Sequence, residues 1–130
     1  MHRFQLADIR TAWDSIKQSV EQIRVDCKVE WRSEDVYAQC YAGHAFLWMC
    51  DDGFMVVKIQ CNQFTLAKEL FVWICWSGHA KGISEYMPDI KDFAAEHQCK
   101  KVVFGSPRKG FSKLADQNQW RQVTEFSFTV

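Results

Sequence analysis

The sequence lacks an excess of charge, a long apolar run and, in its first residues, the apolar core of a signal peptide. Sixteen basic and sixteen acidic residues cancel, which removes the whole-chain electrostatic argument for binding nucleic acid or an acidic membrane surface. No apolar run approaches the roughly 20 residues that cross a bilayer. Residues 1–6 lack the apolar core of a secretory signal. We therefore expect a soluble, cytoplasmic protein that contacts neither membrane nor nucleic acid.

Closely spaced metal or redox ligands are also lacking. No two of the six cysteines lie within four residues of each other, which excludes a zinc knuckle or redox pair that is local in sequence. The four histidines share no metal spacing with one another or with the cysteines. We expect reduced structural thiols and no metal site. The cysteines are Cys27, Cys40, Cys50, Cys61, Cys75 and Cys99.

The composition predicts one folded domain over residues 1–130. The chain is 48% hydrophobic and contains six Trp and ten Phe, enough to form a core in a chain of this length. Seven consecutive apolar residues, 70–76, predict a strand buried on both faces at the centre of a sheet. No repeat or linker divides the chain.

Helix signals precede that strand. Asp8 is a candidate N-cap for an amphipathic helix whose apolar residues recur every three or four positions up to Ile23, while the residues from Arg24 to Glu30 are ambiguous. Ser33 is a candidate N-cap for a second helix, and Gly43 is its expected stop in the left-handed conformation.

A hairpin and further elements complete the pattern. Asp52 and Gly53 lie between two apolar runs, which is typical of a hairpin turn where glycine supplies a positive φ. The predicted order is β, α, α, β, β, β, α, β, α, β, with the last helix over residues 111–118 and the last strand over residues 120–130. The predicted fold class is α/β (α+β): a single domain with a mixed, mostly antiparallel sheet and helices on both faces.

One stretch carries a chemical implication. The central strand is followed at once by a segment with two glycines, Gly78 and Gly82, and then by helical spacing. A strand, a glycine-bearing loop and a helix N-terminus form a place where backbone N–H groups can receive an anion.

This layout resembles the GNAT superfamily of acyl-CoA N-acyltransferases in element order over nearly the whole chain. Four local features are also similar to phage-encoded and related bacterial GNAT-like proteins: residues 31–37, 46–48, 71–76 and 102–106. For a phage-encoded protein, the expected location is the host cytoplasm.

The resemblance implies an acetyl-CoA site. In the superfamily a loop of pattern Arg/Gln-x-x-Gly-x-Gly/Ala binds the pyrophosphate. Gly82 matches that pattern here, whereas His79 and Ser84 depart from it, and Lys81 offers a point charge for phosphate. The residues implied to bind the cofactor at this loop are His79, Ala80, Lys81, Gly82, Ile83 and Ser84. The pantetheine arm would meet backbone groups of Ile74, Cys75 and Trp76.

The resemblance also implies a base and an acid. Glu69, at the start of the central strand, is the candidate base, with a solvated strand-entry charge as the alternative. Ala115 stands where many relatives carry an acidic tyrosine, so Tyr86 is the candidate substitute. Pro88 predicts that the regular helix begins several residues after Gly82, because proline is tolerated only in the first turn.

Two functions follow from these residues. The first is an acetyl-CoA-dependent N-acyltransferase acting on an amine of a small molecule or a protein. The second is a catalytically degenerate GNAT-fold protein of a phage or mobile element that serves as a binding or assembly module. C-terminal edge strands allow pairing into a homodimer.

Overall fold

The structure, a computed structural model, describes residues 2–78 and 82–105. The predicted order of elements is confirmed as far as the strand after the third helix. The predicted helix over residues 111–118 and strand over residues 120–130 lie outside the described residues. In chain order the elements are β1 (Gln5–Ala7), α1 (Ile9–Cys27), α2 (Ser33–Tyr41), β2 (Phe46–Cys50), β3 (Gly53–Cys61), β4 (Lys68–Ser77), a 3-10 turn (Gly82–Tyr86), α3 (Met87–Glu96) and β5 (Lys101–Phe104).

The described strands form one sheet in the order β1-β2-β3-β4-β5. The first four are antiparallel neighbours, whereas β5 runs parallel to β4. A parallel neighbour requires a crossover, and the 3-10 turn and α3 provide it. The mixed, mostly antiparallel sheet predicted from the sequence is therefore confirmed.

Helix α1 follows directly from its sequence. The Asp8 side chain accepts a hydrogen bond from the Arg10 backbone N–H at 2.9 Å, which satisfies a first-turn donor. The apolar stripe is buried, with Val20 at 0% exposure. The helix continues through Arg24 to Cys27, so the first part of the ambiguous stretch is helical.

Helix α2 begins one position away from its predicted cap. Arg32 is the N-cap, and its backbone N–H donates to Asp35 Oδ2 at 2.7 Å. The Ser33 hydroxyl donates instead to Glu21 on α1, which is why Ser33 does not cap the helix. At the other end, Gly43 has a φ of +79° as predicted. The His44 N–H bonds to Gln39 O at 2.9 Å, the Schellman arrangement that such a glycine permits.

The predicted hairpin is present, but the expected role of its glycine is wrong. Cys50 pairs with Gly53 across a two-residue turn, so Gly53 is the first residue of β3. Among the described glycines, positive φ is found at Gly43 and not at Gly53. A Cβ on Gly53 would overlap the Trp76 carbonyl oxygen and the Tyr86 hydroxyl. Glycine is needed here for close approach rather than for turn geometry.

Strand β4 separates two cores, as predicted for a strand buried on both faces. Leu70 and Val72 pack with α3, whereas Ile74 packs with α1. The side chains of Val72 and Ile74 face opposite sides of the sheet because β4 has a bulge between them. Val56 pairs with Ile74 and Val57 with Val72, which leaves Trp73 as an extra residue. Beyond the bulge Cys75 returns to the α3 core, so this thiol is buried as a small hydrophobe.

Helix α3 begins at Met87, five residues after Gly82, with Pro88 in its first turn. The late helix start predicted from Pro88 is therefore confirmed. Arg3 holds the N-terminal segment against this turn, with its backbone N–H and Nε bonding to Asp89 at 3.1 and 2.9 Å. None of the helices in residues 2–78 and 82–105 has the length and hydropathy of a bilayer-crossing segment.

Candidate functional site

The pairing of β4 with β5 ends halfway along β4. The last register pair is Val72 with Phe104, and the Gly105 N–H donates to Val72 O at 3.0 Å. Strand β4 continues for five more residues to Ser77, paired with β3 on its other edge. Within the described residues, this second half of β4 therefore extends past its parallel neighbour, directly after the bulge at Trp73.

The residues predicted to meet a pantetheine arm lie in this second half. Ile74 and Cys75 are 1% and 5% exposed, with their side chains in opposite cores, and Trp76 is half-buried. Since the side chains of Ile74 and Cys75 are taken up by packing, a ligand lying along this edge would meet main-chain atoms. The role expected for these residues stays a prediction.

The exit of β4 leads to the predicted phosphate loop. The Gly78 N–H donates to Asp52 O at 2.8 Å, which fixes the chain as it leaves the sheet. His79, Ala80 and Lys81 lie outside the described residues. Gly82, Ile83 and Ser84 belong to the 3-10 turn, and Ser84 is exposed. The backbone after Gly82 is thus a tight turn rather than the first turn of a regular helix.

Tyr86 ends this turn and is fully buried, at 0% exposure. Its hydroxyl donates to Asp52 Oδ1 at 2.7 Å. Phe4 meets the Tyr86 ring edge-on at 5.2 Å between centroids, and the Arg3 guanidinium lies 5.5 Å from the ring centre. Burial raises the pKa of Tyr86 above its ordinary value. The hydroxyl is therefore protonated at neutral pH and acts as a donor to Asp52.

Glu69 lies at the opposite end of β4. It pairs with Gln60 and Lys101 on the neighbouring strands and is 8% exposed. The Lys101 Nζ lies 3.9 Å from Glu69 Oε2. The alternative of a solvated strand-entry charge is wrong, because the side chain is covered on the sheet.

The structure does not bring the two candidate catalytic residues together. Tyr86 approaches the Trp76 carbonyl oxygen, as the overlap at Gly53 shows. Glu69 is seven positions before Trp76 on the same strand. At roughly 3.3 Å per residue, the two side chains lie on the order of 20 Å apart along β4. A single acid–base pair made of Glu69 and Tyr86 is therefore not present in this arrangement.

Comparison with solved structures identifies the fold. No protein-family model matches the sequence, and no curated protein matches it. A predicted acetyltransferase with acetyl-CoA from Clostridium acetobutylicum is 12% identical, at a TM-score of 0.65, and the alignment covers 100% of this chain and 96% of that one. An aminoglycoside acetyltransferase from an uncultured soil metagenomic sample, in complex with sisomicin, is 10% identical at a TM-score of 0.63, covering 98% and 95%. An integron cassette protein from the mobile metagenome of V. cholerae is 13% identical at 0.62, covering 98% and 90%.

The chain has the GNAT fold. Identities this low establish the architecture, and fold alone does not assign an activity. The resemblance inferred from element order is thus confirmed at the level of the fold.

One residue of this GNAT-fold site was missed in the sequence. Asp52 is a turn residue by pattern, yet its carboxylate and carbonyl bind Tyr86 and Gly78, which lie 34 and 26 positions later. No local signal reveals a partner at that separation. Gly53 gives no sequence signal either, because it matches a turn glycine and the close approach of other atoms is seen only in the structure.

No metal centre is found in the described part of the chain. Residues 2–78 and 82–105 hold no group of three or more His, Cys, Asp or Glu side chains arranged to bind an ion. None of the six cysteines, all of which the structure describes, forms a disulfide, and Cys61 is exposed. Burial raises the pKa of Cys40 to about 11 and also raises the pKa of Cys50 and Cys99. None of these three is an activated nucleophile.

Proposed function

We propose that this GNAT-fold protein binds acetyl-CoA and transfers its acetyl group to an amine in the cytoplasm. The observation that carries the proposal is the end of β4–β5 pairing at Val72, followed by a bulged strand half and a glycine-bearing turn. The C. acetobutylicum neighbour with acetyl-CoA and the soil enzyme with sisomicin, an aminoglycoside, support the ligand classes.

The cofactor would lie along the second half of β4. Main-chain atoms of Ile74, Cys75 and Trp76 would bind the pantetheine arm, and the loop after Gly78 would bind the phosphates. The proposed phosphate-binding residues are His79, Ala80, Lys81, Gly82, Ile83 and Ser84. Backbone N–H groups in tight turns bind phosphate oxygens, and Lys81 adds a positive charge. Acetyl-CoA would supply an activated acetyl group at this place.

Glu69 is the proposed base. An acceptor amine is protonated at neutral pH, and the proton must leave before the nitrogen can attack a carbonyl carbon. Glu69 is a covered carboxylate on the cofactor-binding strand, and it would take this proton directly or through water. Tyr86 is the proposed acid only if its hydroxyl leaves Asp52, since the 2.7 Å bond to Oδ1 uses its proton in this arrangement.

A second candidate is a GNAT-fold module that has lost the chemistry. Two observations favour it: the only described candidate acid, Tyr86, is buried and bound to Asp52, and Gly82 lies in a 3-10 turn that precedes α3. The likeness to an integron cassette protein is consistent with a mobile-element origin. In this case the site would bind acyl-CoA weakly or not at all, and a protein partner would replace the amine.

Titration calorimetry with acetyl-CoA and with free CoA tests the proposal. We expect micromolar binding by the unchanged protein and at least about a tenfold loss, or 1.4 kcal/mol, in Gly82→Trp. Gln63→Trp, in the exposed turn at the far end of β3, is the matched control and should bind normally. No binding at millimolar ligand would contradict the proposal and favour the second candidate.

Activity is tested separately, by a screen of amine acceptors with thiol release as the readout. With a responsive amine, Glu69→Gln should lower kcat by about 10²-fold or more if Glu69 is the base. Lys101→Gln, which changes the partner of Glu69 and not the carboxylate itself, should retain turnover. Equal activity of Glu69→Gln and the unchanged protein would remove Glu69 from the mechanism.

A further inference from the structure

Asp52 joins two elements that flank the proposed phosphate loop. Its backbone carbonyl accepts the Gly78 N–H at 2.8 Å, where the chain leaves β4. Its carboxylate accepts the Tyr86 hydroxyl at 2.7 Å, where the 3-10 turn ends. One residue of the β2–β3 turn thus fixes the chain both before and after the glycine-bearing segment.

The surroundings of Asp52 are adapted to this double contact. Gly53 has no side chain, and a Cβ there would overlap both the Tyr86 hydroxyl and the Trp76 carbonyl oxygen. The Cys50 thiol is a second donor to Asp52 Oδ1, at 3.3 Å. Burial raises the pKa of Cys50, so the thiol keeps the proton that it donates. The carboxylate therefore has two side-chain donors, which lowers the cost of holding it in a partly buried place.

The Tyr86 ring is fixed independently of its hydroxyl. Phe4 packs edge-on against it and the Arg3 guanidinium lies over it. Arg3 in turn binds Asp89 in the first turn of α3. Because the ring is held by packing, loss of the hydroxyl bond should release Asp52 from the turn without unfolding α3. The hydroxyl bond can thus be tested separately from the fold.

We propose that Asp52 is a positioning residue for the acyl-CoA site, holding the exit of β4 at Gly78 and the end of the 3-10 turn at Tyr86 in place. The inference rests on the proposed function. A preformed turn costs less ordering free energy when a ligand binds, so cofactor affinity should depend on the link between Asp52 and Tyr86.

The test compares the affinities of CoA and pantetheine, measured by calorimetry, in four variants. Tyr86→Phe and Asp52→Ala remove the link, and we expect each to weaken CoA binding about tenfold. Pantetheine lacks the nucleotide and its phosphates, so its affinity should change less than twofold. Asp52→Asn keeps an acceptor oxygen and should restore CoA binding, and Tyr41→Phe is the control on an exposed tyrosine. A general structural defect would weaken both ligands alike.

Exchange of backbone amide hydrogens provides a readout without ligand. In Tyr86→Phe, the amides of Gly78 and of the 3-10 turn should exchange faster, while those of α1 should keep their protection. Unchanged exchange at these amides would overturn the inference. So would CoA affinities in Tyr86→Phe and Asp52→Ala equal to that of the unchanged protein, and this result would leave the proposed function intact. Failure of the unchanged protein to bind CoA would overturn both proposals together.

Discussion

The two halves of β4 differ in what holds them, and the difference separates fold from function. Residues 69–72 are paired with β3 on one edge and β5 on the other, and their buried side chains Leu70 and Val72 fill the core beneath α3. Residues 73–77 follow a bulge and extend past the described part of β5. Ile74 and Cys75 are buried in opposite cores, and the polar link of Asp52 with Tyr86 and Gly78 holds the end of this half.

This contrast has a physical basis. A strand paired on both edges and buried on both faces has its main-chain groups used by the sheet, so it contributes stability. The second half extends past the described part of β5, and its main chain is the proposed binding edge for the cofactor. The first half should therefore control unfolding, and the second half should control cofactor affinity.

Leu70→Ala should have the largest effect on stability. Leu70 is 0% exposed in the first half, and its truncation leaves a cavity that the sheet cannot close, at a cost of about 2–5 kcal/mol. Urea unfolding measures the loss. CoA affinity of the protein that remains folded should stay within about twofold, and a much weaker affinity would break the division between the halves.

Gly53→Ala and Gly105→Ala are a matched pair of substitutions, one beside the second half of β4 and one beside the first half. The added methyl group at Gly53 meets the Trp76 carbonyl oxygen, a backbone atom that cannot move alone, and the Tyr86 hydroxyl. At Gly105 it meets the Phe71 ring, a half-buried side chain that can shift. We expect about 1–3 kcal/mol of destabilisation and weak CoA binding for Gly53→Ala, and a smaller cost with normal binding for Gly105→Ala. The reverse order of costs would contradict this description of the two sites.

The sequence predicted the first half of β4 better than the second. Periodicity and length were enough for the buried strand, for α1 with its Asp8 cap, and for the late start of α3 at Pro88. These features depend on neighbours in sequence or on burial, which apolar patterns report. The phosphate-binding role predicted for the glycine-bearing segment after β4 stays a prediction.

What the sequence could not predict depends on distant partners. Ser33 has the residue type of a cap, but its hydroxyl is bound by Glu21 on another helix. Gly53 matches a turn signal, although it is required by the packing of Tyr86. The bulge at Trp73 changes which side chain faces which core, and nothing in an unbroken apolar run marks the position of an extra residue. Each of these features is fixed by tertiary contacts.

Alkaline pH should destabilise the folded protein through Tyr86, whose hydroxyl lies near the second half of β4. Burial raises the pKa of Tyr86 above 10.0 in the folded state, so the folded protein keeps a proton that the unfolded chain releases near pH 10. This contribution to stability is complete below that pH and is lost as the pH rises above it, by at most about 1.4 kcal/mol per pH unit. Urea unfolding at increasing pH should show a shallower decline for Tyr86→Phe, and an unchanged one for Tyr41→Phe. Equal slopes for all three proteins would contradict the role of Tyr86.

Lys101→Ala should have the smallest effect on the free energy of unfolding. The size of this effect indicates whether the Glu69 carboxylate depends on its ion pair with Lys101. The Lys101 side chain is 58% exposed and its Nζ lies 3.9 Å from the carboxylate, so solvent screens the pair and its loss should cost less than about 1 kcal/mol. Urea unfolding of Lys101→Ala beside Glu69→Gln measures this. A loss of 3 kcal/mol or more would be typical of a buried carboxylate that depends on its partner, and it would make Glu69 part of the structural half of β4. A loss near zero means that the Glu69 carboxylate does not need the ion pair to be tolerated on the sheet, which leaves it available to take a proton from an acceptor amine.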